Sequence, residues 1–321
     1  MRMKFSVDFP RIARTGKAVL RKAGLRGKAL FRRKNGWYAA LFLSLTVLAV
    51  CSGLLFERLY VLPKQSDSAL EDARSLYRSP SPGRASSSAG SAAPQDDGYT
   101  FEKLQAVNRD VKGWITIPGT AVDYPVLCPP ADSPDYYLTR DWKRDASKYG
   151  SIYMLPASAA QAGRKNIILY GHSMKDGRMF APLLRYTDPQ YYCLYPTILL
   201  QMGNEKAYWK IFAVIKANTD VSQGQPFDYQ KTRFASTKAF SDYLKAVRLR
   251  SVLTLPVDLK TSDSLLTLST CSYEFDGFRT VVFARRVRGG ENTDVDASKV
   301  SANAGALYPD CWYQKFGGKK P

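Results

Sequence analysis

Three residues of this 321-residue chain have side chains that together could transfer an acyl group. His172, the one histidine of the sequence, follows the apolar run 166–170, and Cys271 ends the run 267–271. Arg279 opens another apolar run eight residues after the cysteine, and the turn between them contains a glycine. A thiolate, an imidazole that exchanges a proton and a fixed cation are the minimum set for acyl transfer. The cation stabilises the thiolate first and the oxyanion later.

Each of these residue types on its own has an ordinary structural explanation. A histidine after a strand is usually a polar loop or core residue, and a buried cysteine usually behaves as a small hydrophobe. An arginine that starts a strand usually lies on a solvated edge. Their spacing favours the catalytic interpretation, because two adjacent strands joined by a short loop place the cysteine and the arginine at one end of a sheet.

Short apolar runs separated by turn residues predict the strands that position these side chains. The runs cover 114–118, 122–126, 151–154, 166–170, 196–202, 206–216, 264–268 and 280–287. Many short strands with irregular connections indicate a barrel or a sandwich. One amphipathic helix is predicted over 236–250, where Phe240, Tyr243, Leu244 and Val247 share an apolar face.

A basic N-terminus followed by an uncharged apolar segment predicts a membrane anchor. Residues 1–36 hold twelve lysines and arginines against one aspartate, and residues 37–56 carry no charge. As a helix the second segment reaches about 30 Å, the thickness of a bilayer core. The positive-inside rule then places the N-terminus in the cytoplasm and the rest of the chain outside the cell. The alternatives are a cleaved signal peptide, for which 57–60 offers no cleavage site, and a lipoprotein signal at Cys51, in which Val50 stands where a small residue is needed.

The position of the basic residues distinguishes between partners. The chain has 47 lysines and arginines against 28 aspartates and glutamates, a net charge of +19 that suits nucleic acid or an anionic lipid surface. More than half of this excess lies in 1–36, directly before the apolar segment. We therefore expect anionic lipid headgroups as the partner of this segment, and no nucleic acid.

Composition divides the remainder of the chain into three parts. Residues 57–98 are rich in Ser, Pro and Ala and predict a flexible extracellular linker, with a short juxtamembrane helix over 68–78. Residues 99–290 contain the predicted strands and form the expected catalytic domain. Residues 291–321 lose the periodicity, although 311–316 is apolar, and the sequence assigns this tail no role.

The other four cysteines have non-catalytic interpretations. Cys51 lies in the apolar segment and is predicted to be inert. Cys128, Cys193 and Cys311 either pair outside the cell or remain free thiols, and the sequence alone does not decide between these. Cys271 must stay free to act as a nucleophile. Since the chain has one histidine, no C-x-x-C pair and no carboxylate cluster, we predict no metal and no cofactor.

Five segments of the expected catalytic domain share their order and residues with a known enzyme family. They are 113–120 (GWITIPGT), 122–126 (VDYPV), 168–172 (ILYGH), 174–180 (MKDGRMF) and 267–271 (TLSTC), the last followed by Arg279. Together they resemble the sortases, the cysteine transpeptidases of Gram-positive bacteria, and in particular the class B branch. The resemblance covers residues 100–288 and implies a mostly β fold, a closed eight-stranded barrel with added N-terminal and inter-strand helices, after one transmembrane helix.

The resemblance also implies a role for five residues. Cys271 would be the nucleophile, His172 the general acid and base, and Arg279 the residue that stabilises the oxyanion and positions the substrate. Ser269 and Thr270, which precede the cysteine, would line the groove and orient the peptide or the arginine.

The reaction implied by the resemblance is the attachment of secreted proteins to the cell wall. The thiolate would cleave a C-terminal sorting signal of the LPXTG or NPQTN type and form a thioester. An amine of a peptidoglycan precursor would then take the acyl group. Three alternatives stay open at this point: a sortase that polymerises pilin subunits, a thiol hydrolase of the same fold, and a non-catalytic surface binding module. The sorting motif and the accepting amine are not fixed by the sequence.

Overall fold

The N-terminal helix is the feature that matches a membrane span. The computed structural model describes residues 36–78, 101–159 and 163–321 and consists of two compact units, Met1–Pro63 and Lys64–Pro321. The first unit contains α1 (Gly36–Phe56), followed by a π-helical turn. The helical stretch that begins with α1 is the one in the described residues long and apolar enough to cross a membrane, as the sequence predicts. The basic residues of 1–35 lie outside the described residues.

Helix α2 (Leu62–Arg78) replaces part of the flexible linker predicted for 57–98. Most of it belongs to the second unit, where Ala73 and Tyr77 are buried. The Tyr77 ring stacks on Trp114 with the ring centroids 4.3 Å apart. The linker prediction is wrong for this helix because its apolar face packs on the barrel. The short helix predicted here is present and is longer than expected, while the Ser/Pro/Ala-rich remainder lies outside the described residues.

Eight strands of the second unit close into a barrel in the order β1-β2-β3-β4-β8-β9-β6-β5. The elements of this unit after α2 are α3 (Glu102–Val107), β1 (Val111–Thr116), β2 (Asp123–Leu127), β3 (Ile152–Met154), α4 (Pro156–Ala159), β4 (Asn166–Tyr170), α5 (Pro189–Leu194), β5 (Thr197–Met202), β6 (Glu205–Ala217), α6 (Thr237–Arg250), β7 (Leu253–Thr254), β8 (Leu265–Cys271), β9 (Arg279–Arg286), β10 (Ser301–Ala302) and α7 (Asp310–Phe316). The pairs β2–β3 and β4–β8 are parallel and the other barrel pairs are antiparallel. The closed eight-stranded barrel predicted from the sequence is confirmed.

Helix α6 covers one side of the barrel, as its amphipathic pattern predicts. Ser236 caps its N-terminus by accepting a hydrogen bond from the Ala239 amide. Phe240 and Val247 are buried against residues of β6 and β9. Because β6 packs on the barrel interior with one face and on α6 with the other, its second half is buried on both faces.

The C-terminal residues 291–321 form part of the same compact unit. Strand β10 pairs antiparallel with β7, and α7 buries Cys311. The segment to which the sequence assigns no role therefore packs with the barrel as one unit. The sequence gives no periodic signal for these elements because both are short, two residues in β10 and seven in α7.

Candidate active site

Cys271 and Arg279 are brought together by the hairpin of β8 and β9. Cys271 is the last residue of β8, Arg279 is the first of β9, and the two are register partners. An Nη1–H of the Arg279 guanidinium donates a hydrogen bond to the Cys271 sulfur. Cys271 remains partly exposed. A guanidinium in contact with a sulfur stabilises negative charge on it, which is what a thiolate nucleophile requires.

The parallel pairing of β4 with β8 brings His172 to the same end of the barrel. Tyr170 is the register partner of Ser269, and the Gly171 amide donates to the Ser269 carbonyl at 3.3 Å. His172 and Cys271 each follow this pair by two residues. Neighbouring strands lie about 4.8 Å apart. His172, just after β4, and Cys271, at the end of β8, are therefore neighbours on two adjacent strands.

Two hydrogen bonds tie the loop that carries His172 to the segment that carries the cysteine. The Thr270 hydroxyl donates to the Gly171 carbonyl at 2.8 Å. The Tyr273 hydroxyl donates to the Ser173 carbonyl at 2.6 Å. These bonds hold the residues on both sides of His172, so the backbone of the histidine is fixed relative to the sulfur.

The imidazole of His172 has a backbone partner that sequence reasoning missed. Its Nε2 lies 2.7 Å from the carbonyl oxygen of Leu138 in the turn Tyr136–Leu138. A carbonyl can only accept, so Nε2 carries a proton and Nδ1 is the ring atom left for proton exchange. No sequence signal could have identified Leu138, because any residue type supplies a carbonyl.

Ser269 and Thr270 are buried beneath the site. They are 1% and 2% exposed, respectively. The Ser269 hydroxyl lies 3.1 Å from the Tyr229 hydroxyl, and the Thr270 hydroxyl donates a hydrogen bond to the Gly171 carbonyl. All five predicted residues thus meet at one end of the barrel, but these two hydroxyls are engaged inside the protein. A direct contact between either hydroxyl and a substrate stays a prediction.

A partly buried ion pair fastens the β8–β9 loop (residues 272–278) to the neighbouring strand β6. The Lys216 ammonium donates to Glu274 Oε1 at 2.6 Å and to the Thr280 hydroxyl at 2.8 Å. Burial alone would raise the pKa of Glu274, but the hydrogen bond and charge of Lys216 and the neighbouring hydroxyl of Ser272 together outweigh it, and the pKa lies below its ordinary value. Sequence reasoning missed this pair, since its members are 58 residues apart.

Two of the other four cysteines are buried at least in part, which disfavours the thiolate form. All five cysteines are free, so none of the open disulfide pairings is formed. Burial raises the pKa of the thiols of Cys128 and Cys311, which lowers their thiolate fraction near neutral pH. Among the described residues no group of three or more His, Cys, Asp or Glu side chains could hold a metal ion. The arrangement supports covalent acyl transfer by Cys271.

Comparison with known proteins places the same residues in a known domain. The chain matches the family model of the sortase domain over residues 115–287. It is 35% identical over 213 residues to sortase B of Listeria monocytogenes, covering 66% of this chain and 80% of that protein. The Staphylococcus aureus sortase B–substrate complex has a TM-score of 0.53 and 29% identity, covering 59% of this chain and 85% of that one. Sortase B from B. anthracis in complex with AAEK1 has a TM-score of 0.58 and 26% identity, covering 71% of this chain and 99% of that one.

Proposed function

We propose that this chain, which belongs to the sortase family and is a class B cysteine transpeptidase of the cell wall, uses Cys271 as its nucleophile, His172 as general acid and base, and Arg279 as the cation of the site. One observation carries the assignment: the guanidinium donates to the sulfur at the register-paired ends of β8 and β9. The parallel register of β4 and β8 adds the histidine. In this proposal Thr270 and Ser269 do not react. Their buried hydroxyls make hydrogen bonds that hold the backbone around His172 and Cys271 in position.

The first half of the reaction is acylation of the enzyme. The Cys271 thiolate attacks the carbonyl carbon of the threonine in a sorting signal, so a carbon–sulfur bond forms and the carbonyl oxygen becomes an oxyanion. The Arg279 guanidinium stabilises that oxyanion. The carbon–nitrogen bond then breaks, and the protonated imidazole of His172 gives the proton on Nδ1 to the leaving amine and becomes neutral. The products are a thioester on the enzyme and a released C-terminal peptide with a free amino group.

The second half transfers the acyl group to an amine of a cell-wall precursor. The incoming amine attacks the thioester carbonyl and loses a proton to the neutral imidazole of His172. A new carbon–nitrogen bond forms and the carbon–sulfur bond breaks, which returns the Cys271 thiolate. One amide replaces another, so the reaction needs no external energy source. The secreted protein is left covalently attached to peptidoglycan.

We also propose that the enzyme is a single-pass membrane protein with its catalytic domain outside the cell. The support is the length and apolar character of α1 and the twelve basic residues that precede it. The basic segment 1–36 binds anionic headgroups of the inner leaflet. Flotation of the full chain with vesicles tests this: replacing these lysines and arginines by glutamine should weaken binding to vesicles that contain phosphatidylglycerol, while binding to phosphatidylcholine vesicles stays the same. Equal binding of both proteins to both vesicles would contradict the lipid role.

A peptide-library assay tests the catalytic proposal. Wild type, Cys271→Ala and the matched control Cys193→Ala are incubated with LPXTG- and NPQTN-type peptides, with and without triglycine. We expect wild type and Cys193→Ala to cleave a sorting peptide and to join it to triglycine, and Cys271→Ala to do neither. Mass spectrometry of the intact protein should show a thioester adduct on wild type and on Cys193→Ala, and none on Cys271→Ala. Cleavage by Cys271→Ala would overturn the assignment, and hydrolysis without transfer to any amine would favour the thiol hydrolase.

A further inference from the structure

The C-terminal helix α7 packs against the β8–β9 loop, which joins the proposed nucleophile to the proposed cation. The Phe316 ring meets the Phe275 ring edge-on, with centroids 5.9 Å apart. The Trp312 ring stacks on Phe278 at 6.4 Å. Phe278 is 1% exposed and directly precedes Arg279. Two aromatic residues of α7 thus contact two aromatic residues of a seven-residue loop.

A polar contact from the same helix reinforces the packing. The Lys315 ammonium donates to the backbone carbonyl of Glu274 at 2.8 Å and lies 4.7 Å from the centroid of the Phe275 ring. A cation over an aromatic face and a charge-assisted hydrogen bond both favour one position of the loop. The side chain of Glu274 is meanwhile held by Lys216 of β6. Lys315 therefore holds the backbone of Glu274, while Lys216 of the barrel holds its side chain.

Helix α7 is itself anchored to α6 and to the segment that contains Gly224, so it can act as a rigid support. The Leu307 amide, just before the helix, donates to the Leu249 carbonyl of α6 at 2.9 Å. Tyr308 stacks on Trp312 with centroids 4.3 Å apart. At Gly224 the chain has φ +111°, and a Cβ there would lie 2.8 Å from the Asp310 amide nitrogen. The segment before α6 and the start of α7 thus approach so closely that only glycine fits.

The segment that follows β6 also holds the β8–β9 loop. The Thr219 hydroxyl donates to the Gly277 carbonyl at 3.0 Å, and the Gln223 side-chain amide donates to the Asp276 carbonyl at 2.8 Å. Two elements therefore support the loop, this segment and α7. The family match ends at residue 287, so the α7 support lies outside the part of the chain that the sortase domain accounts for.

We propose that α7 is a positioning element of the transpeptidase, and that Trp312, Lys315 and Phe316 are its positioning residues. The inference rests on the proposed roles of Cys271 and Arg279. These two residues bound the β8–β9 loop, so a shift of the loop changes the placement of the guanidinium relative to the sulfur and to the oxyanion. Catalytic geometry tolerates little displacement, since about 1 Å of misplacement can cost on the order of 100-fold in rate.

The test compares variants of the full chain in kcat, KM and hydrogen exchange. For Trp312→Ala with Phe316→Ala we expect kcat for sorting-peptide cleavage to fall roughly tenfold, while KM changes little. Amides of the β8–β9 loop should exchange faster, and amides of β1 and β2 should keep their protection. Trp312→Phe with Phe316→Leu should restore most of the rate, because the apolar contacts are retained. Gln314→Ala, an exposed residue of the same helix, is the matched control and should behave as wild type.

Three results would overturn the proposal: wild-type kcat and loop exchange in the double alanine variant, a fall in kcat matched by faster exchange throughout the barrel, or a similar loss in Gln314→Ala. If the double variant fails to fold, Lys315→Met decides, because it removes one hydrogen bond and keeps the aliphatic stem. Faster loop exchange with a lower kcat then supports the proposal, and unchanged values overturn it. Failure of the catalytic proposal can be distinguished from failure of the α7 proposal. The first would appear as activity in Cys271→Ala, whatever the activity of the α7 variants.

Discussion

At the scale of single residues, Arg279 has two functions in the proposed mechanism, one toward the sulfur and one toward the oxyanion. Its guanidinium carries five N–H donors, so the contact of Nη1 with the Cys271 sulfur leaves donors able to meet the oxyanion. One cation can therefore follow the negative charge as it moves from sulfur to oxygen. A flat, forked donor suits this better than an ammonium, which is a point charge on a flexible stem.

Two replacements of Arg279 should separate the contribution of its positive charge to catalysis from that of its forked donor geometry. We expect Arg279→Ala to lower kcat/KM for a sorting peptide by about 10²- to 10³-fold, the usual loss for one oxyanion donor. Arg279→Lys should recover only part of this loss, because it keeps the charge but loses the fork. The control is Arg286→Ala at the other end of β9, where the side chain is exposed and pairs with Glu205. Full activity in Arg279→Lys would show that charge alone is sufficient.

Thr270 supports a prediction about the histidine loop. Thr270→Val keeps the shape of the side chain but removes the donor to the Gly171 carbonyl, which leaves that acceptor unpaired. We expect the free energy of unfolding to fall by about 1–2 kcal/mol and kcat to fall, because His172 is less well placed. Thr270→Ser should restore both values. Urea unfolding and peptide cleavage measure the two effects, and an unchanged kcat in Thr270→Val would contradict the positioning role.

At the scale of the elements, most of the barrel could be predicted from the sequence, and the misses have physical reasons. All eight apolar runs correspond to barrel strands. Strand β1 begins at Val111 rather than 114 because a register shift between Val111 and Gly113 lets the strand pair further with β2. Helix α2 was predicted only in part, since its stability comes from packing on Trp114, which the local pattern does not show. Helix α7 was missed because its seven residues are too few to show a periodic pattern.

Helix α2 should contribute measurably to the stability of the catalytic unit. Tyr77→Ala removes the stack on Trp114 and the hydrogen bond from its hydroxyl to Gln201. We expect the free energy of unfolding to fall by about 3–5 kcal/mol, as for other buried aromatic truncations, and by about 1 kcal/mol in Tyr77→Phe. Urea unfolding of the full chain measures both. Ser75→Ala on the exposed face of α2 is the control, and an equal loss there would show that packing of the buried face is not responsible.

At the scale of the whole molecule, the two ends of the barrel carry different groups. The proposed catalytic residues lie at the end formed by Cys271 and Arg279, whereas the opposite end of β8 and β9 carries an ion-pair network. Arg285, 1% exposed, donates to Glu291 at 2.7 Å and to Asp258 at 2.8 Å. Arg288 adds bonds to the same aspartate and to Asp263. This network ties the start of the C-terminal segment to the barrel.

The network predicts loss of stability in acid. Hydrogen bonds from Arg285, together with Lys210, hold the pKa of Glu291 well below its ordinary value. A depressed carboxyl pKa stabilises the folded state above the unfolded pKa, near 4.3 for glutamate, and this contribution is lost as the pH falls below it. We expect Glu291→Gln to lower the free energy of unfolding at pH 7 by about 2 kcal/mol and to flatten its dependence on pH between about 5 and 3. Urea titrations at several pH values measure this, and parallel pH curves for wild type and variant would contradict it.

The parallel pairing of β4 with β8 has a consequence for biosynthesis. The Thr270–Gly171 bond joins residues 99 positions apart, so the ribosome adds the histidine long before it adds the cysteine. Closing so long an intervening segment is slow compared with forming local contacts. A nascent chain that ends before β8 lacks Cys271, the proposed nucleophile. The proposed acyl-transfer chemistry therefore begins only after the last barrel strands have been synthesised and paired.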